Sequence, residues 1–278
     1  MKVRLSTSAP HGAPVTGFRD GRVSAIRNMS DKDPQSETQN EVVSGMRFGR
    51  TRKLWRFRLF RILVFVVVVM LAAPILLGLL YRIEVIRPVS TLMLAQWIGG
   101  GSVDRRWVEI DDVAPVLIHS VIMSEDGQFC GHYGVDFREL NAVISDALDG
   151  EKPRGASTIT MQTAKNLFLF NSRSFLRKAA EIPIAIYLDL VLSKRRIMEI
   201  YLNIAEWGDG IFGVEAAAQR YFKRSAARLS ARQAALLTVA LPNPILRNPA
   251  KPGSGMRRLA SLIERRAARA GGYVDCVE

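Results

Sequence analysis

Two glutamates, Glu125 and Glu181, and the basic side chains between them are the residues of this chain best suited to do chemistry. Glu125 follows the apolar run VAPVLIHSVIM and precedes Asp126-Gly127, a turn signal, within the stretch SEDGQFCGHYGVD. Its apolar neighbours Ile122, Met123 and Phe129 would raise the pKa of a partly buried carboxyl, which suits a general acid or base. The plainer alternative is a solvated turn acid, and the Glu-Asp pair by itself favours that alternative. His132 and Asp136, in the same stretch, read as structural hydrogen-bonding residues, because the two-histidine helix spacing of metalloproteases is absent.

RGASTITMQTAKNLF, from Arg154 to Phe168, starts as a glycine-containing loop with hydroxyls and turns into an amphipathic helix carrying Lys165 and Asn166. Unpaired N–H groups and hydroxyls at a helix start suit an anionic group, although an ordinary helix capped by Ser157 or Thr158 explains the same pattern. It is no P-loop, since the Gly-Lys-Ser/Thr ending is missing. Lys165, Arg173, Arg177 and Lys178 then gather just ahead of Glu181. Such basics neutralise phosphate oxygens, and a diphosphate leaving group needs that; on their own they are more often a solvated face.

The elements that must position these residues are mostly helical. Apolar residues recur at three- and four-residue spacing in VAPVLIHSVIMSED, DFRELNAVISDALDG and RKAAEIPIAIYLDLVLSKRRIMEIYLN, then in GVEAAAQRYF and SARQAALLTVALPNP. The expectation is a mainly α domain with a small hairpin near residues 102–110. Pro183 removes the hydrogen bond to Ala179, so a helix is expected to start, kink or break near it.

The formal net charge of +13 points to an anionic partner. Residues 1–61 carry thirteen Lys/Arg against five Asp/Glu, concentrated between Arg47 and Arg61, just before the uncharged run of residues 62–80. A helix over that run spans roughly 29 Å, about the thickness of a bilayer core. The positive-inside rule places the N-terminus in the cytoplasm and everything after Leu80 outside. Orientation of this helix explains the tail basics better than nucleic-acid binding, for which no base-reading pattern is present. The expected organisation is a largely disordered basic tail (1–61), a transmembrane helix (62–80) and an exported domain (81–278, core about 95–250). Leu92, Met93, Leu94, Trp97 and Ile98 either dip into the outer leaflet or pack in the core. Cys130 and Cys276 are expected as free thiols, far apart in sequence though in a compartment that permits a disulfide.

The order of these segments is more specific than any one of them. EDGQFCGHYGVD, GASTITMQTAKN, RKAAE, KRRIMEIYLN and AALLTVALPNP occur in the order found in the peptidoglycan glycosyltransferases, which the chain resembles over roughly Val113 to Pro244. NIAEWGDGIFGVEAAAQRYF is similar to the monofunctional biosynthetic transglycosylase subgroup, and no room remains after Glu278 for a transpeptidase domain. The resemblance implies a lysozyme-like glycosyltransferase domain, behind a single N-terminal membrane helix in the bacterial inner membrane, that polymerises lipid II. It implies Glu125 as the general base on the acceptor 4-hydroxyl and Glu181 as the second carboxylate, supporting the donor and leaving group. Lys165 and Arg173, with Arg177 and Lys178, would contact the diphosphate, and Ser157, Thr158 and Gln162 occupy substrate-site positions. No cofactor is required, while a divalent cation such as Mg or Mn stimulates many members and would bind with substrate. The expected partners are lipid II, the growing glycan, the membrane and proteins of cell-wall synthesis and division, with no nucleic acid. Ala156 and Met161 depart from the family's usual glycine and glutamine, which puts a site role for Met161 in doubt. A lytic lysozyme-like enzyme would share the acid but has no use for the basics. A catalytically idle membrane scaffold would need neither.

Overall fold

The structure is a computed structural model and describes residues 48–150, 155, 157–170 and 174–278. The tail before residue 48, Ala156 and the predicted site residue Arg173 lie outside the described residues. The chain divides into two units at Arg61/Ile62; of the first only the helical residues from Phe48 onward are described, and the fold belongs to the second.

The helix α1 covers Phe48–Leu80, with Pro74 inside it. Its Trp55–Leu80 stretch is 26 residues long and contains an 18-residue window with a mean hydropathy of 3.1, long and apolar enough to cross a membrane. Its last turns are fastened to the domain: Tyr187 Oη donates to the Ile75 carbonyl at 2.6 Å, and Tyr81 stacks on Phe168 with ring centroids 6.3 Å apart. The α2 helix, Thr91–Ile98, follows and is capped by Ser90, whose Oγ accepts from Met93 N–H. Only Met93 of its apolar residues is fully buried, whereas Leu94, Trp97 and Ile98 are exposed.

The domain is built from α3 (Pro115–Glu125), α4 (Phe137–Leu148), α5 (Ile159–Phe168), α6 (Phe175–Val191), α7 (Lys194–Ile204), α8 (Val214–Phe222), α9 (Ala231–Ala240) and α10 (Ser254–Ala267). The mainly α expectation holds. α7 is the central element, because every residue from Arg196 to Ile204 is buried. A helix with no exposed face must satisfy its polar side chains internally, and α7 does so with Arg196, Glu199 and Asn203, spaced three and four apart on one face. Arg196 pairs with Glu199 and donates to the carbonyls of Tyr81 at 2.9 Å and Ile86 at 2.6 Å. Glu199 accepts from Ile110 N–H at 3.1 Å, and Asn203 exchanges hydrogen bonds of 2.9 and 2.8 Å with the backbone of Val108. This face therefore pins the connector that leaves α1. Around α7, α5 packs on α6, and α9 packs on α3 and α10.

Several expectations are corrected. No hairpin forms at residues 102–110: β1 (Asp104–Arg105) pairs in parallel with β3 (Ile211–Phe212), and the antiparallel pair is β2 (Glu206–Gly208) with β3. The Asp209-Gly210 turn, with Gly210 at φ +69°, makes that hairpin instead. Helix α6 neither starts nor breaks at Pro183. Ala179 and Pro183 both sit on its exposed face, so the carbonyl deprived of a donor lies where water can reach it. Cys130 and Cys276 are not free thiols but a disulfide with Cα atoms 5.5 Å apart, joining residues 146 positions apart in sequence. Sequence distance hid this because the C-terminal turn folds back onto α7, beside the loop that carries Cys130.

Candidate active site

Glu125 is the last residue of α3, where the helix stops against the Asp126-Gly127 turn. Asp126, itself buried, accepts from His132 Nε2 with both oxygens at 3.0 Å and from Ile159 N–H at 2.9 Å. One side chain thus ties the loop after Glu125 to the start of α5. His132 is the structural residue expected from the sequence. Asp136 caps α4 by accepting from Arg138 and Glu139 N–H. Thr158 caps α5, accepting from Met161 N–H at 3.0 Å while its hydroxyl donates to Gly134 O at 2.6 Å. Gly134 has φ +80°, and a Cβ there would lie 2.5 Å from Ala185 O, so no other residue lets the loop lie this close to α6.

Against this frame Glu125 is half-buried. Its Oε2 accepts from Gln162 Nε2 at 3.3 Å, and the Gln162 carbonyl accepts from Tyr201 Oη at 3.2 Å. Burial pushes the Glu125 carboxyl above the ordinary range; hydrogen bonds from Gln162 and Ser124, and the charge of Arg247, partly oppose it. Tyr201 is fully buried, which drives its phenol well above its usual pKa and keeps its hydroxyl protonated, able to donate to Gln162. Glu125 lines a cavity of about 600 Å³ together with Ser157, Thr158 and Gly155, among others.

The second carboxylate, Glu181 on α6, is buried and pairs with Arg177 one turn earlier and with Lys178 Nζ at 2.9 Å. Lys178 also donates to Ser157 Oγ, so the basic cluster reaches the wall of the Glu125 cavity. Lys165 lies within the fields of Glu181, Arg177 and Lys178. Its ammonium pKa is lowered chiefly by burial, with Arg177 and Lys178 adding to the effect and Glu181 opposing it. A second cavity, of about 270 Å³, is lined by Lys165, Asn166, Gln162, Tyr201 and Glu206. Gln162 thus stands between the two cavities, bonded to Glu125 on one side and facing Lys165's cavity on the other.

The structure therefore brings together Glu125, Ser157 and Thr158 around one cavity, with Gln162 bonded to Glu125 from behind, and Glu181, Arg177, Lys178 and Lys165 in an adjoining basic cluster. Met161, which departs from the usual glutamine, is fully buried. Sequence reading missed Tyr201, Asp126 as the tie between loop and helix, and Glu206, whose carboxyl pKa burial raises. Among the described residues no group of three or more His, Cys, Asp or Glu side chains converges as metal ligands would.

A carboxylate with a raised pKa beside a basic cluster is an arrangement for proton transfer next to an anionic leaving group. The transglycosylase family model matches residues 92–268, which contain both carboxylates and the whole basic cluster. The chain belongs to the transglycosylase family. A relative named biosynthetic peptidoglycan transglycosylase, from Rhizobium meliloti (strain 1021), is 61% identical over 231 residues, 83% of this chain and 98% of the relative. Relatives of the same name from Mesorhizobium japonicum and Brucella suis are 64% and 60% identical, covering 91% and 95% of their own lengths and 77% of this chain in each case. This transglycosylase is thus a mainly α, lysozyme-like enzyme that carries one long apolar helix ahead of the domain.

Proposed function

We propose that this transglycosylase polymerises lipid II into glycan strands, inverting the reacting anomeric carbon and releasing polyprenyl diphosphate, and that it carries no transpeptidase activity. Its standing as a peptidoglycan transglycosylase, a glycosyltransferase, rests on family membership and on the relatives at about 60% identity. The observation that carries the finer reading is the Glu125 carboxylate, held by Gln162 on the wall of a cavity that also meets the Ser157–Lys178–Glu181 cluster.

In this reading Glu125 takes the proton from the acceptor 4-hydroxyl, whose oxygen attacks C1 of the donor sugar. The C1–O bond to the diphosphate breaks, and the electron pair leaves with the diphosphate. Lys165, Arg173, Arg177 and Lys178 meet that charge, while Glu181 holds Arg177 and Lys178 in place. Ser157 orients Lys178; Thr158 and Gln162 shape the wall and the base. A lytic enzyme displaces a sugar and has no need of this cluster. A divalent cation would arrive with the diphosphate oxygens and share their charge with the basic cluster.

The same reading places the protein as a single-pass inner-membrane enzyme with its N-terminus in the cytoplasm. Arg56, Arg58 and Arg61, with the basics before them, support that orientation by the positive-inside rule. The Cys130–Cys276 disulfide supports an exported, oxidising location for the domain. Exposed Leu94, Trp97 and Ile98, just beyond α1, suit contact with the outer leaflet, where lipid II presents its diphosphate. The test is incubation of the purified full chain in detergent with labelled lipid II. Strands that lysozyme digests, with polyprenyl diphosphate released in step, are the expected product; cleavage of preformed glycan with lipid II untouched would overturn the reading.

A further inference from the structure

The transglycosylase match ends at residue 268, yet the chain continues through two short 3-10 turns, Gly271–Tyr273 and Asp275–Val277. This segment is fastened firmly to the domain. Val274 and Val277 are buried in the core, Arg195 Nη1 donates to the Val277 carbonyl at 2.8 Å, and His119 meets Glu278 at 3.3 Å. The Cys130–Cys276 disulfide adds a covalent tie to the loop that begins at Glu125.

Tyr273 is the large hydrophobic side chain this segment leaves exposed, at 50% of its surface, and it lines the same 600 Å³ cavity as Glu125. A further cavity of about 190 Å³ is lined by Gly127, Gln128 and Tyr273, all of which also line the first. The groove at Glu125 therefore continues past Tyr273. Ser157, tied to Lys178, marks the diphosphate side of the large cavity, and Tyr273 lies toward the Gly127–Gly131 turn. We infer that the disulfide-fastened C-terminal segment builds a subsite for the growing glycan strand, with Tyr273 as the platform on which a sugar of that strand stacks.

The inference rests on the proposed polymerisation of lipid II. In that reaction the donor sugar has its C1 between Glu125 and the basic cluster, so the strand attached to it runs away from the diphosphate. The cavity past Tyr273, which Ser157 does not line, is where that strand would continue. A pyranose presents an apolar C–H face that an aromatic ring covers, while the phenol tip reaches hydroxyl or N-acyl groups at its edge. Cys276 lies three residues after Tyr273, and Cys130 five after Glu125, so the disulfide fixes the distance between platform and base. Tyr273 is thus a strand-binding residue that keeps the product in place for the next addition, and it takes no part in bond making.

The test uses the purified full chain with labelled lipid II, comparing wild type, Tyr273→Ala, Tyr273→Phe and the Cys130→Ser/Cys276→Ser pair, each assayed well below its own thermal unfolding midpoint. Tyr273→Ala is expected to raise KM by roughly three- to tenfold, the loss of one aromatic contact, and to shorten the strands while kcat holds. Tyr273→Phe is expected to restore both, and the cysteine pair to shorten strands in the same direction. If wild type polymerises lipid II and Tyr273→Ala gives the same KM and strand lengths, the subsite is wrong and the polymerase reading stands. A loss of kcat that Tyr273→Phe does not rescue would likewise sink the subsite. If wild type makes no strands at all, both readings fall.

Discussion

Gln162 Nε2 donates to Glu125 Oε2 at 3.3 Å, and this one contact links the carboxylate at the end of α3 to the fully buried Tyr201 of α7. An ionised Glu125 carboxylate can only accept, so the amide turns its N–H toward Glu125 and its carbonyl toward the Tyr201 hydroxyl, which donates to it. Gln162→Ala and Tyr201→Phe each remove part of this relay. If Glu125 is the base as proposed, losing one hydrogen bond to its carboxylate predicts a fall in kcat of roughly fivefold for Gln162→Ala, measured as the initial rate of lipid II polymerisation.

The pH dependence follows from the direction of the Glu125 shift. A general base must be deprotonated, and burial raises its pKa above the ordinary glutamate value. The acid limb of the kcat/KM profile is therefore expected above that value, and Gln162→Ala should move it higher still, because the Gln162 bond lowers the Glu125 pKa. For stability the sign is the reverse of a salt-bridged acid. The folded state holds the proton more tightly than the unfolded chain, so the charged carboxyl costs stability above the folded pKa and nothing below the unfolded one. Glu125→Gln should unfold at the same temperature as wild type or higher at pH 7.

Glu181 is the counter-charge that raises the pKa of Lys165 against burial and the neighbouring Arg177 and Lys178. Glu181→Gln removes that support. Lys165 should then lose its proton at lower pH, pulling the alkaline limb of kcat/KM downward. Arg177 and Lys178 also lose their partner, so KM for lipid II should rise. An unmoved alkaline limb would contradict the coupling between Glu181 and Lys165.

Gly134 should tolerate no side chain. With φ at +80° and the Ala185 carbonyl 2.5 Å from an added Cβ, Gly134→Ala is expected to destabilise the domain by more than about 2 kcal/mol, read from chemical denaturation. The loop would be forced away from α6, and the Thr158 hydroxyl would lose its acceptor on Gly134.

Reduction of the Cys130–Cys276 bond releases a link that spans 146 residues. Long closed loops of this kind usually contribute about 2–5 kcal/mol, so dithiothreitol should lower the unfolding midpoint by several degrees. The Cys130→Ser/Cys276→Ser pair should match the reduced protein and respond no further to reductant.

The helices were legible because their apolar residues recur at helical spacing and their caps are conventional, as with Thr158 on α5 and Ser230 with Gln233 on α9. Glu125, Ser157, Lys178 and Glu181 could be singled out because acids and basics in ordered blocks resemble a known family, and the structure gathers them. What escaped were relationships between distant segments. Tyr201 looks like one more apolar residue of α7 until α5 brings Gln162 to it. Nothing local marks Arg196, Glu199 and Asn203 as the residues that satisfy the backbone after α1, within a stretch of α7 buried from Arg196 to Ile204. The disulfide and the parallel pairing of β1 with β3 depend on chain reversals that no local pattern encodes.

The most direct test compares wild type with Glu125→Gln in polymerising labelled lipid II, each checked for equal helical content and unfolding midpoint. Glutamine keeps the shape and the contact with Gln162 but cannot take a proton. Loss of roughly a hundredfold or more in rate, with folding intact, is the predicted result. Strands made by Glu125→Gln at the wild-type rate would contradict Glu125 as the base.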